Sequence, residues 1–179
     1  MRELELRWFY QHGASELFPD QWERFVAPIP KEERGNLLQA HHRRLFGEDK
    51  EAALASARAW SVWEGSTSRL LMDEGLMMRC AQDRFALTLA RLEAHYFVNK
   101  GFFDEDGWLL TQVERIRHIP CTIVQGRYDA VCPPRSAWDL KRAWPEADLR
   151  FIGDAGHASS EPGTVDGLIT ASDRYADLA

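Results

Sequence analysis

The stretch IVQGRYDAVCPP, residues 123–134, reads as the end of a buried strand that breaks at Gly126 into a loop carrying Asp129. The run from Cys121 to Gln125 is rich in β-branched residues and is bracketed by Pro120 and Gly126. That is the pattern of a parallel strand covered on both faces. Downstream, FIGDAGH (residues 151–157) repeats the form and delivers His157 just past a second strand, Leu149 to Ile152. Between the two, Ser136 to Ala143 has helical composition and stops near Trp144 and Pro145. Thr164 to Leu178 reads as a closing helix. Strand, helix, strand, helix is the tail of an α/β sheet. Two parallel strands cannot stand alone, because each needs cover on both faces and a partner along its edges. Further strands are therefore expected from outside this segment.

Upstream the texture is helical from about Glu16 to about Asn99, with no internal repeat and no low-complexity tract. Pro19 or Asp20 opens a helix through Trp22, Phe25 and Val26, which Pro28 and Pro30 stop. Lys31 to Leu45 reads as a second helix, and Asp49 to about Trp63 as a third, rich in Ala, Glu and Arg. Asp83 to Val98 is a fourth, with Phe85, Leu89, Leu92 and Tyr96 on one face. The expected division is a helical region over residues 1–105 and the sheet-bearing part over residues 106–179.

The 179 residues suffice for one core, and 45% hydrophobic with 28% charged residues is ordinary globular usage. A net charge of −6 without a basic stripe disfavours a nucleic-acid partner. No apolar run reaches the length of a membrane span, and MRELELRWFY lacks the apolar core of a signal peptide. The three cysteines, Cys80, Cys121 and Cys132, form no CxxC pair. A disulfide frame or zinc site is not expected, and a reduced cytoplasmic setting fits best.

Asp129 and His157 each follow a strand, where catalytic groups of open α/β sheets gather. A carboxylate beside an imidazole fixes its tautomer and stabilises the imidazolium formed during proton transfer. The bland alternative is a turn aspartate and a surface histidine. The chain order nucleophile, acid, histidine belongs to the α/β-hydrolase arrangement, whose serine sits in a G-x-S-x-G elbow. No such elbow is present. Ser15 in GASEL and Ser66 in EGSTS stand in the wrong pattern, and Ser159 and Ser160 follow the histidine. Cys132 follows the acid and also lacks an elbow, which argues against it as the nucleophile.

A series of segments, in order along nearly the whole chain, carries a resemblance. They are WFYQ from Trp8, GASELFPDQWE from Gly13, WSVWEG from Trp60, ARLEAHYF from Ala90 and IRHIP from Ile116. GRYD from Gly126, AWDL from Ala137, AWPEA from Ala143, AGH from Ala155 and EPG from Glu161 complete it. Together they resemble the proline iminopeptidases (prolyl aminopeptidases), serine peptidases of the α/β-hydrolase fold. The resemblance implies a helical cap followed by the last two parallel strands and flanking helices, a partial α/β-hydrolase fold. The N-terminal half of the core, with the elbow serine and the oxyanion loop, would then lie outside these residues. The chain is expected to be the C-terminal part of a longer enzyme that releases N-terminal proline from peptides.

The same resemblance assigns roles. Asp129 and His157 become the acid and base of the triad. Glu64 and Glu93 match the cap carboxylates that bind the substrate's free proline amine. A secondary ammonium needs charged acceptors, and two carboxylates in a poorly solvated pocket supply them. Phe9, Phe97 and Cys132 match positions around the pyrrolidine ring. No cofactor or metal is implied. Exposed helical glutamates and core phenylalanines remain the plainer alternatives. The chain departs from the family in AGHAS, where AGHSA-like strings are usual, and in Ala94, where Asn is frequent. Arg127 is a candidate for ordering the acid loop, His95 reads as a buried structural histidine, and His41, His42 and His118 lack metal spacing. Two other functions stay open: another capped α/β-hydrolase, such as an esterase or epoxide hydrolase, and a non-catalytic binding module or half of a split enzyme.

Overall fold

The computed structural model describes residues 2–176, which form two compact units. One holds the chain up to Thr67 together with Met72–Asp106; the other holds Ser68–Leu71 and the chain from Gly107 onward.

The first unit is built from α1 (Glu3–Tyr10), α2 (Ala14–Leu17), α3 (Pro19–Val26), α4 (Leu37–Leu45), α5 (Lys50–Thr67), α6 (Glu74–Cys80) and α7 (Asp83–Val98). Pro19 occupies the first turn of α3, where its fixed φ and missing N–H cost nothing. The helix expected over Lys31 to Leu45 is divided. Lys31–Asn36 is a tighter 3-10 segment, and α4 starts afresh at Leu37. Asn36 causes the restart as an N-cap, its side chain accepting the Gln39 N–H at 3.1 Å. Asp49 caps α5 in the same way, taking the N–H groups of Glu51 and Ala52 at 3.0 Å each. α5 then runs one turn past Trp63.

α5 packs against α3, α4, α6 and α7. Its Trp60 and Trp63 join Phe9, Tyr10 and Phe25 in an aromatic core. α7 buries a row of alanines, Ala86, Ala90 and Ala94, each at 0% exposure. Small side chains let the two helix backbones approach closely. The larger apolar row leads outward instead, and Phe85, Leu92 and Tyr96 are exposed. His95 falls one position beyond Ala94, off the alanine row, and is exposed rather than buried. The buried histidine is His41, stacked on Phe25 at 4.5 Å with Nδ1 2.6 Å from Ser56 Oγ. Burial pushes its pKa down to about 3, so the ring is neutral in the fold.

The second unit contains α8 (Trp108–Thr111), β1 (Thr122–Gly126), α9 (Pro134–Ala143), β2 (Asp148–Ile152) and α10 (Pro162–Arg174). β1 and β2 pair in parallel, from Thr122 opposite Asp148 to Gly126 opposite Ile152. α9 makes the crossover, and both α9 and α10 pack on the strands. Val113, Trp144 and Ala147 form a small core with Cys121, Ile123, Leu140 and Ala143 around it. Apart from Gly126, the strand residues are only half-buried. The closing helix starts at Pro162 and ends at Arg174; Leu178, its expected end, lies outside the described residues. No helix among the described residues is long and apolar enough to cross a membrane.

Candidate active site

The loops leaving β1 and β2 are laced together. The Arg127 N–H reaches Ile152 O at 2.8 Å, and the Tyr128 N–H reaches Ala155 O at 3.0 Å. This close approach requires glycine at 126, because a Cβ there would lie 1.8 Å from Gly156 O. The lacing brings Asp129 and His157 into contact, with Asp129 Oδ2 3.0 Å from His157 Nδ1. Facing a carboxylate oxygen, Nδ1 is the donor, which leaves Nε2 as the nitrogen that exchanges protons.

Asp129 is buried and richly served. Its Oδ1 accepts the N–H groups of Val131 at 3.0 Å and Cys132 at 2.7 Å. Its Oδ2 also accepts the Gln125 side-chain amide at 3.1 Å. These bonds order the acid loop. Arg127, the expected organiser, instead lays its guanidinium 3.8 Å over the Phe151 ring. His157 remains 40% exposed at its side chain. The hydrogen bond to Asp129, and after it one to Cys132, hold its pKa up at about 10. The imidazole is therefore cationic at neutral pH in this chain. Cys132 itself is exposed.

The His157 loop is anchored from below by Glu161, a buried carboxylate that accepts the N–H of Gly156 at 2.7 Å and of Leu70 at 2.9 Å. The N–H groups of His157 and Ala158 both reach Ser68 O, at 2.9 and 2.8 Å. Glu161 had been visible only as the first residue of the EPG segment.

Glu64 and Glu93 both lie in the helical unit, on α5 and α7. Glu64 accepts a hydrogen bond from the Tyr10 hydroxyl. Glu93 accepts the Trp60 indole N–H at 2.8 Å. Tyr10 and Trp60 are stacked on each other, centroids 4.5 Å apart. Phe97 packs beside them, 5.4 Å from Tyr10 and 6.3 Å from Trp60. Phe9 is buried behind, 4.9 Å from Tyr10 and 5.2 Å from Trp63. The fold thus gathers Glu64, Glu93, Phe9 and Phe97 into one cluster, while Asp129, His157 and Cys132 form another in the sheet unit. Tyr10 and Trp60 were not singled out from the sequence. The signal available was their place inside WFYQ and WSVWEG.

A cavity of about 460 Å³ in the helical unit is lined by Arg2, Leu6, Tyr10, Gln39, Phe97 and Lys100 among others. Neither Glu64 nor Glu93 lines it. Ser66 is buried with its hydroxyl bonded to Trp63 O at 3.1 Å, a helix-end contact rather than a nucleophile's setting. Among the described residues no group of His, Cys, Asp and Glu is arranged to hold a metal ion.

Residues 11–164 match a family model described as the alpha/beta hydrolase fold. The chain is 52% identical over 175 residues to a probable proline iminopeptidase of Leptolyngbya boryana, covering 98% of this chain and 54% of that protein. It is 52% identical over 176 residues to a proline iminopeptidase of Xanthomonas citri, covering 98% and 56%. A proline iminopeptidase of Xylella fastidiosa (strain Temecula1) is 51% identical over 175 residues, again covering 98% and 56%. The chain spans about half the length of the curated relatives it matches. A parallel strand pair crossed over by a helix, an acid and a histidine at the strand ends, and a family match across most of its length make one conclusion: this chain belongs to the alpha/beta hydrolase fold family.

Proposed function

We propose that this chain is the C-terminal part of a serine-type prolyl aminopeptidase that releases N-terminal proline from peptides. The observation that carries this reading is the placement of two carboxylates, Glu64 and Glu93, on one aromatic stack with Phe97 beside it. Charged acceptors set among apolar rings suit a small ring that bears a secondary ammonium, and an internal proline nitrogen has neither charge nor proton to offer them. By the resemblance, Phe9 and Phe97 of this cluster border the pyrrolidine.

The acyl transfer then follows ordinary rules. A serine from the missing N-terminal half attacks the scissile carbonyl, and its proton passes to His157 Nε2. The tetrahedral intermediate collapses as His157 returns that proton to the leaving amine, and water hydrolyses the acyl-enzyme by the same route in reverse. Asp129, fixed by the Val131 and Cys132 N–H groups and the Gln125 amide, orients the imidazole. A general base must start neutral, whereas His157 in this chain is held as a cation. Excluding water from its exposed edge penalises the cation and lowers that pKa toward the working range. The missing half therefore completes the base as well as supplying the nucleophile and the oxyanion donors. No cofactor, nucleic acid or membrane enters the reaction. The free thiols Cys80, Cys121 and Cys132 agree with a cytoplasmic setting.

The test uses a chimera in which the N-terminal part of the Xanthomonas citri relative precedes this chain. It should cleave proline anilide, and Glu64→Gln or Glu93→Gln should each cost at least about a hundredfold in kcat/KM, the scale of a lost charged contact. Anilide cleavage that survives both substitutions, or a preference for simple esters or epoxides, would reject the aminopeptidase.

A further inference from the structure

We propose that Tyr10 and Trp60 are a coupled positioning pair that sets both amine-binding carboxylates at once. The proposal rests on the assignment of Glu64 and Glu93 to the substrate amine. Three helices meet in the arrangement. Tyr10 of α1 donates its O–H to Glu64 Oε1 on α5, and Trp60 of α5 donates its indole N–H to Glu93 Oε2 on α7 at 2.8 Å. The two donors are not independent, since their rings stack at 4.5 Å with only 22° between planes. Trp60 is 0% exposed and Tyr10 4% exposed, so the stack is locked into the core.

A glutamate side chain has three rotatable bonds and loses entropy when a ligand must immobilise it. Here one oxygen of each carboxylate is held by a donor on a buried, rigid ring. The glutamates are thus held in place before substrate arrives. The donors are also of a telling type. The indole N–H cannot accept a proton and stays neutral, and the phenol O–H ionises only far above neutral pH. They favour the charged form of each carboxylate without competing with the ammonium as counter-ions. A lysine or arginine in either place would neutralise the glutamate and repel the substrate. Burial pushes the nearby Cys80 thiol pKa up; the Ser61 hydrogen bond and the Arg79 charge pull against it, and the charges of Glu64 and Glu93 add the smallest upward push.

The experiment is a kinetic comparison in the same chimera. Tyr10→Phe keeps the ring and the stack and removes only the hydroxyl. It should raise KM for proline anilide about tenfold, the typical weight of a hydrogen bond to a charged group, with kcat changed less than about threefold. The acid limb of kcat/KM should move to higher pH, because Glu64 loses a donor that favours its charge. Trp60→Phe should do the same through Glu93. In a Glu64→Gln background, Tyr10→Phe should have no further effect on KM, as a shared interaction requires. A purely structural role predicts less folded enzyme by circular dichroism, with KM and the acid limb unmoved and the double variant additive; that result overturns the proposal. If the glutamate substitutions are themselves silent, the amine assignment fails, and the pair with it. If they are severe while Tyr10→Phe and Trp60→Phe leave KM and the pH profile unchanged, only the pair is refuted.

Discussion

His157 and His41 sit in one chain with opposite electrostatic settings, and the contrast yields a pH signature. Asp129 first, and Cys132 after it, raise the His157 pKa to about 10, above the ordinary 6.5 of an unfolded histidine. That pairing therefore stabilises the fold fully below about pH 6.5 and is lost as pH climbs toward 10. Asp129→Asn should lower the ring's pKa by removing the larger of the two upward contributions, followed by NMR titration of the imidazole, and should lessen the alkaline fall in stability. An unmoved titration would mean that Asp129 does not hold the ring. His41 works the other way. Its pKa of about 3 lets the unfolded chain bind a proton that the fold refuses, so stability falls as pH drops from about 6.5 toward 3. His41→Gln should remove that acid slope in urea titrations at stepped pH. Asp129 and His157 were legible in the sequence because each closes a strand with a glycine nearby. Tyr10, Trp60 and Glu161 were not, because a hydrogen bond between distant helices, or from a helix cap to a loop, leaves no periodic mark.

At the scale of elements, the site depends on how tightly the ends of β1 and β2 are drawn together. Gly126 and Gly156 permit it: a Cβ at 126 would meet Gly156 O, and one at 156 would come within 2.8 Å of Leu70 N. Both obstacles are backbone and cannot swing aside. Gly126→Ala should cost about 3 kcal/mol or more in urea unfolding, in the range of severe steric substitutions. A change under about 0.5 kcal/mol, the range of ordinary surface positions, would show that the loops are slack. Glu161→Ala strands two backbone N–H groups and should cost about 2 kcal/mol. Proline and aspartate marked the starts of α3 and α5 plainly. α1 was missed because Leu4, Leu6, Trp8 and Tyr10 alternate like a strand, and an eight-residue helix is too short to show its period. The burial of α7 ran against its bulk. Large residues advertise an apolar face, yet close packing selected the alanines.

For the whole molecule, the informative fact is how little sheet there is. Two strands form the entire sheet among the described residues, and nearly all their side chains are half-buried. In the same unit Ile116, Ile119, Tyr128, Trp138, Leu168 and Ile169 are exposed. An α/β sheet hides its apolar residues by adding strands and covering both faces. On our proposal the N-terminal half does this, so the chain alone should bind a hydrophobic dye and elute as oligomers, while the chimera should do neither. A dye-silent monomer would favour a self-sufficient module. The alternation of strand and helix made the sheet tail legible, but no local pattern in a sequence reports the strands it lacks. Two parallel strands without cover or edge partners, and the absent serine elbow, pointed there.

The central claim is that this chain carries the acid, the histidine and the amine-binding carboxylates of a proline-releasing peptidase but not its nucleophile. The direct measurement is steady-state hydrolysis of proline anilide by the 179-residue chain alone, by the chimera, and by each with His157→Ala. The account predicts no turnover by the chain, turnover by the chimera, and its loss with His157→Ala. Hydrolysis by the chain alone that disappears with His157→Ala, or a folded chimera that leaves proline anilide intact, would contradict it.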